Sequence, residues 1–262
     1  MIKALIFDLD DTLLWDKKSV KESLRMVCIE AEAKTGINHK TFEQTIRKEA
    51  ASLYASYDTY DFTKKIGINP FEGLWGDFTD KHNIGFRRMH AMIYDYQKKA
   101  WTNALNDHDI DSPSLGEALA ERYRFHRRTL PFLYEDTLEV LTQLKKDYRL
   151  FLLTNGAPTL QDEKLNMTPQ LPGFFEYILV SGAFGVGKPD PSIFHHTLQL
   201  LSATADEAVM IGDNLHTDIL GSNRAGIKNI WLNRENKQPD SGIPYTWEAS
   251  RLSDIPSLLQ SR

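Results

Sequence analysis

The chain has 262 residues, 41% of them hydrophobic and 26% charged, the composition of a soluble globular protein and neither a disordered nor a fibrous one. A formal net charge of -5 argues against a nucleic-acid polymer as partner. Cys28 is the lone cysteine, which excludes an intrachain disulfide and suits the reducing cytoplasm. The opening apolar run is broken at Asp8 and does not read as a secretory signal. No stretch approaches the ~20 apolar residues that a membrane-spanning helix needs. The expectation is a cytoplasmic protein with no membrane partner and an oligomeric state that the sequence leaves open.

Residues 3–7 form a short apolar run rich in branched side chains that stops at Asp8-Leu9-Asp10-Asp11, the pattern of a buried strand feeding a loop. From 15 to 130 there is no convincing strand, and only Pro70 and Pro113 interrupt the segment. Val20, Leu24, Val27 and Ala31 make an apolar helical stripe. Ser19 with Glu22, Thr41 with Gln44 and Ser114 with Glu117 read as capping boxes. The segment is expected to be a helical insert.

After Pro131 the pattern changes. Leu138, Leu141 and Leu144 mark a helix, followed by apolar runs at 150–153, 177–180, 208–211 and 229–232. These runs end at Thr154-Asn155-Gly156, Ser181-Gly182, Gly212-Asp213-Asn214 and Asn233. Between the second and third, Gly187-Lys188-Pro189-Asp190-Pro191 precedes a helix whose Phe194, Leu198 and Leu201 share a face, with Asp190 as its N-cap and Pro191 as its first residue. Residues 237–244 read as a surface loop. Strands alternating with helices predict an α/β fold, a Rossmann-like parallel sheet with helices on both faces, plus an all-helical domain inserted after the first strand. The expected bounds are 1–14 with 131–262 for the α/β core and 15–130 for the insert.

In an open parallel sheet, ligands bind outside the carboxyl ends of the strands. Three such ends deliver Asp8 with Asp10, Thr154, and Asp213, and the loop after a fourth delivers Lys188. Carboxylates beside one ammonium and one hydroxyl suit a divalent cation and a phosphate. Mg²⁺ favours oxygen ligands and shares a substrate phosphate. The residues themselves therefore point to phosphoryl chemistry.

Asp8-Leu9-Asp10-Asp11-Thr12-Leu13, Thr154, Gly187-Lys188-Pro189, and Gly212-Asp213 followed by Asp218 resemble, in order and at the same kind of strand boundary, the four motifs of the haloacid dehalogenase superfamily. The insert sits where that family places a C1-type cap. The resemblance implies a Mg²⁺-dependent phosphatase of small phosphorylated metabolites that works through an aspartyl-phosphate. It implies Asp8 as nucleophile and Asp10 as general acid-base. Thr154, Asn155 and Lys188 would receive the phosphate, with Thr154 and Lys188 counted among the catalytic residues. Asp8, Asp213 and the backbone carbonyl of Asp10 would hold Mg²⁺. Asp218 would orient Lys188 or a metal-bound water from outside the site, with Asn214 beside it.

The core motifs do not separate a phosphatase from a phosphomutase. A phosphonatase would require a cap lysine poised for a Schiff base, and nothing marks Lys17 or Lys18 for that role. A dehalogenase would not need an acid at Asp10. A receiver-like domain or a non-catalytic scaffold would be a different class, disfavoured by the large insert and by the filling of every catalytic position. Sugar phosphates, nucleoside monophosphates and phospho-hydroxy acids such as phosphoserine all remain open as substrates. His195 and His196 are adjacent, hence divergent on a helix, and make a poor metal pair; Asp11 and His216 fit turn or solvated roles.

Overall fold

A computed structural model describes residues 1–239 and 242–260. Five strands arise where the apolar runs predict them: β1 (Ala4–Phe7), β2 (Arg149–Thr154), β3 (Tyr177–Val180), β4 (Ala208–Gly212) and β5 (Lys228–Leu232). A sixth, β6 (Trp247–Ala249), was not expected, because three residues at a sheet edge carry too little pattern to read. The sheet order is β3-β2-β1-β4-β5-β6 and every pairing is parallel. Covered on both faces, the central strand has no polar side: Ala4, Leu5, Ile6 and Phe7 are all fully buried.

The helices, in chain order, are α1 (Asp16–Thr35), α2 (His39–Ala55), α3 (Tyr60–Ile66), α4 (Pro70–Gly73), α5 (Ile84–Asn106), α6 (Pro113–Thr129), α7 (Thr137–Leu144), α8 (Pro158–Met167), α9 (Ser181–Phe184), α10 (Pro191–Leu200), α11 (Leu220–Arg224) and α12 (Ile255–Gln260). None among the described residues is long and apolar enough to cross a membrane. The α1 stripe does face inward, with Leu24, Val27 and Ala31 fully buried and Val20 packed against them. The three capping boxes do not form. Ser19 lies inside α1, which starts at Asp16. Asn38 caps α2 ahead of Thr41, accepting from Lys40 and Thr41. Pro113 starts α6 after Ser112, leaving Ser114 within the first turn. A capping box forms instead between Asn69 and Glu72. Asp190 caps α10 as expected, accepting from Ser192 N. Of the loop expected over 237–244, residues 240 and 241 lie outside the described residues.

The chain divides into two compact units. One comprises Met1–Trp15, Leu133–Gly156 and Thr168–Arg262; the other comprises Asp16–Phe132 and Ala157–Met167. Every regular element of the second unit is a helix, and the unit has its own aromatic core, including Phe42, Tyr54, Trp75, Tyr96, Trp101 and Tyr123. It also holds α8, which lies outside the 15–130 bounds. Three bonds account for this: a buried Lys164–Glu72 ion pair at 2.8 Å, Thr159 Oγ1 donating to Asp80 at 2.6 Å, and Arg128 donating to Glu163 at 2.5 Å. In the first unit, the segments entering and leaving the insert are joined by an antiparallel bridge, Leu14 to Leu133. The side chain of Thr137 donates to Leu13 O at 3.0 Å beside it.

Candidate active site

The chain moves from β1 to β2 and β3 on one side, then crosses back to β4 on the other side of β1. This reversal opens a crevice at the carboxyl ends of β1 and β4, where an α/β sheet binds ligands. Phe7, the last residue of β1, is in register with both Leu152 and Ile211. The residues that follow each of these strands therefore emerge side by side: Asp8 after β1, Thr154 at the end of β2, and Asp213 after β4.

Asp8 is buried and its N–H continues the ladder, donating to Ile211 O at 3.0 Å. Lys188 donates to Asp8 Oδ1 at 2.6 Å and to Leu153 O at 2.8 Å, and pairs with Asp218 Oδ1 at 2.7 Å. Two hydrogen bonds and one ion pair thus surround the ammonium. Asp218 sits in a turn of wider helical bonding, Leu215–Ile219, where its Oδ2 accepts from Asn214 N at 3.1 Å. Gly212 makes this approach feasible, because a Cβ there would collide with the Asp218 carboxylate.

Burial pushes the Asp8 carboxyl up to about 6; Lys188 opposes the rise and Asp218 adds to it. Burial also raises Asp218, with Lys188 opposing and Asp213 adding. For Lys188, burial works against the charged form, but Asp218 and Asp8 outweigh it and hold the ammonium above its ordinary range. At neutral pH the frame is thus an ionised Asp8 beside a permanent cation.

Among the described residues, Asp8, Asp213 and Asp218 form a carboxylate cluster whose ligand atoms lie within 4.8 Å of one another. An all-oxygen set with this spacing fits a hard cation such as Mg²⁺. Asp10 is not in that cluster. It lies on the turn after Leu9, bridged to Leu14, and is half-buried. Thr154 is buried at the end of β2. Asn155, expected on the phosphate, has its side chain committed to backbone: its amide donates to Lys188 O and accepts from Lys188 N, both at 2.9 Å. It holds the segment carrying Lys188 and the cis bond Lys188–Pro189. Asn214 caps the Asp218 turn by accepting from His216 N at 2.9 Å. His196 stacks on Phe184 while His195 faces outward, so the two do diverge.

Sequence reasoning missed three residues. Thr12 Oγ1 donates to Asp8 Oδ2 at 3.1 Å and accepts from Asp213 N at 3.2 Å, joining the β1 and β4 loops. Its position four residues after Asp8, inside the quoted motif, was the available signal. Trp231 Nε1 donates to Asp213 O at 3.0 Å, and Arg234 Nη2 donates to Thr12 O at 3.2 Å. Both come from a strand end, the location that marked the others, but neither is an acid, base or nucleophile.

Known proteins resemble this chain in sequence and in fold. The sequence profile of the haloacid dehalogenase-like hydrolases matches residues 2–226. The chain is 31% identical over 242 residues to a phosphoserine phosphatase of Thermus thermophilus, covering 91% of this chain and 92% of that one. It is 30% identical over 235 residues to a glyceraldehyde 3-phosphate phosphatase of Pyrococcus abyssi, covering 88% and 82%. It is 33% identical over 180 residues to the N-acylneuraminate-9-phosphatase of Mus musculus, covering 67% and 72%. Among solved structures, the magnesium-bound HAD-hydrolase YfnB of Bacillus subtilis superposes with a TM-score of 0.68 at 20% identity over 98% of both chains, a likeness of fold.

Proposed function

The chain belongs to the haloacid dehalogenase-like hydrolases, and from that membership and the Asp8 site we propose that it is a Mg²⁺-dependent phosphatase of small phosphorylated metabolites. The relatives named for phosphoserine, glyceraldehyde 3-phosphate and N-acylneuraminate 9-phosphate support the reaction class and the size of the substrate. The observation that carries the reading is a buried, ionisable Asp8 held by Lys188 at 2.6 Å beside two further carboxylates. The single buried cysteine is in keeping with a cytoplasmic setting.

Asp8 and Asp213 are the side chains that would hold Mg²⁺, with the Asp10 carbonyl a further oxygen on the Asp8 loop and Asp218 acting from beside them through Lys188. When bound, Mg²⁺ would neutralise charge on the phosphoryl oxygens and on the clustered carboxylates. An Asp8 carboxylate oxygen attacks phosphorus as the bond to the leaving oxygen breaks, giving an aspartyl-phosphate. Lys188 keeps Asp8 ionised and balances negative charge developing on the phosphoryl group. Thr12 fixes the rotamer of Asp8 through its other oxygen. Asp10 gives its proton to the departing alkoxide, then takes one from the water that hydrolyses the acyl phosphate. Thr154 donates to a phosphoryl oxygen, and Asn155 acts through Lys188 by holding its backbone. The helical unit acts as a cap that selects the substrate and excludes water.

The test is hydrolysis of 4-nitrophenyl phosphate by the full chain, followed by a panel of phosphorylated metabolites. Activity lost on exhaustive chelation and restored by Mg²⁺ is expected, with preference for a small phosphate monoester. Full activity in chelator, or no phosphate released from any substrate with Mg²⁺ present, contradicts the reading.

A further inference from the structure

The turn that carries Asp10 is tight. Leu13 and Leu14 both donate to Leu9 O at 2.9 Å, Asp11 N donates to Leu14 O at 2.6 Å, and Asp11 takes a left-handed φ of 61°. Aspartate tolerates that conformation better than most residues, though not without cost. These bonds close the turn on itself but leave its outer edge, the Thr12 carbonyl, to be fixed from elsewhere.

Arg234, just after β5, grips that edge. Its Nη2 donates to Thr12 O at 3.2 Å, and the same nitrogen lies 3.5 Å from Asp136 Oδ1. The guanidinium lies over the Tyr134 ring, 3.6 Å from its centroid. Tyr134 in turn stacks on Trp15 at 5.1 Å with an interplanar angle of 18°. Three planar groups thus come from three separate segments: Trp15 before the insert, Tyr134 after it, and Arg234 beyond β5. A guanidinium can lie flat on a ring while directing in-plane N–H groups at a carbonyl and a carboxylate, which an ammonium cannot. The Arg234 side chain is 14% exposed, so water competes little for these contacts.

Asp8 is anchored differently, by its N–H to Ile211 O and by Lys188 on its carboxylate. Thr12 Oγ1 also touches Asp8, but Asp8 keeps these two anchors outside the turn when the turn shifts. We propose that Arg234 is a positioning residue for Asp10: by holding Thr12 O while stacked on Tyr134, it fixes the turn so that the Asp10 carboxyl meets the leaving oxygen. This inference rests on the acid-base reading of Asp10. Proton transfer from Asp10 to the leaving oxygen accompanies P–O cleavage, so a displaced Asp10 matters most when the leaving group is poor.

The experiment compares kcat/KM for phenyl phosphate and 4-nitrophenyl phosphate in Arg234→Met, Arg234→Lys and Asp10→Asn. General acid catalysis contributes about 10²–10⁴-fold, and partial loss of alignment in Arg234→Met is expected to cost about tenfold or more on phenyl phosphate. The same variant should stay within about threefold on 4-nitrophenyl phosphate, whose leaving group needs little protonation. Arg234→Lys should resemble Arg234→Met, because charge alone does not restore the stack. Asp10→Asn should show the same discrimination more strongly. If Asp10→Asn discriminates but Arg234→Met loses both substrates equally, or neither, the inference is overturned while the acid-base reading stands. If Asp10→Asn itself fails to discriminate, the acid-base reading falls and takes the inference with it. Should Arg234→Met not fold, Tyr134→Leu, which keeps the guanidinium and removes its stacking face, is judged by the same ratio.

Discussion

Replacing Lys188 with methionine keeps most of the side-chain volume and removes one buried positive charge. The ammonium is shared among Asp8, Asp218 and Leu153 O at 2.6, 2.7 and 2.8 Å. Without it, Asp8 and Asp218 lose the ammonium they share beside Asp213. Burial already lifts Asp8 from 3.8 to about 6, a gap of about 2 pKa units, equivalent to ~3 kcal/mol at ~1.4 kcal/mol per unit. A neighbouring opposite charge typically lowers a carboxyl by ~1–3 units, so deleting Lys188 should raise Asp8 further by that amount.

The sign of the effect on stability follows from proton linkage. The folded Asp8 binds its proton more tightly than the unfolded chain does, so stability declines as pH rises from the ordinary carboxyl value through the raised folded one. In chelator, the wild-type protein should lose stability between about pH 4 and pH 6 on this account, and Lys188→Met should continue to lose it to about pH 8. The extra cost of the substitution is ~1–4 kcal/mol at about pH 8, shrinking towards about pH 5 as Asp8 becomes protonated in both proteins. Urea unfolding at the two pH values measures the difference. In the presence of Mg²⁺, the rising limb of kcat/KM should also move to higher pH. A destabilisation that is the same at both pH values would refute the electrostatic coupling argued for Lys188.

Further substitutions probe the supports of the site. Gly212→Ala places a methyl group against the Asp218 carboxylate and should cost ~1–3 kcal/mol by overpacking, together with a loss of kcat, whereas Gly173→Ala, in open space, should cost neither. Denaturant unfolding and steady-state kinetics on the pair decide it. Asn155→Ala removes two hydrogen bonds to the Lys188 backbone, worth ~1–3 kcal/mol together, and should lower kcat more than it raises KM if the side chain acts through Lys188 and not on the phosphate.

The strands were legible because a parallel sheet buried on both faces leaves continuous apolar runs that end abruptly, as Ala4–Phe7 ends at Asp8. The same abruptness exposed Thr154 and Asp213. Helix starts were less legible: Ser19, Thr41 and Ser114 match the spacing of a capping box, but Asp16, Asn38 and Pro113 begin the helices earlier. The bond between Thr12 and Asp213 was hidden for another reason. Thr12 lies inside the motif, but its second bond exists only once the sheet order brings β4 beside β1 and sets Asp213 N within reach of its hydroxyl. Arg234 was hidden more deeply, since its partners Thr12, Tyr134 and Asp136 come from distant segments that only the fold joins. The attachment of α8 to the helical unit likewise depends on Lys164 meeting Glu72 across 92 residues of sequence.

In the proposed reaction, phosphate passes through Asp8. Rapid acid quenching of Asp10→Asn during turnover of a ³²P-labelled phosphate monoester, followed by peptide mapping, tests it directly. With its base for hydrolysis removed, that variant should accumulate label on the peptide containing Asp8, at a level well above the wild type, and Asp8→Asn should never become labelled. Label on Asp8→Asn, or label on another residue of Asp10→Asn while phosphate is still released, would contradict the account.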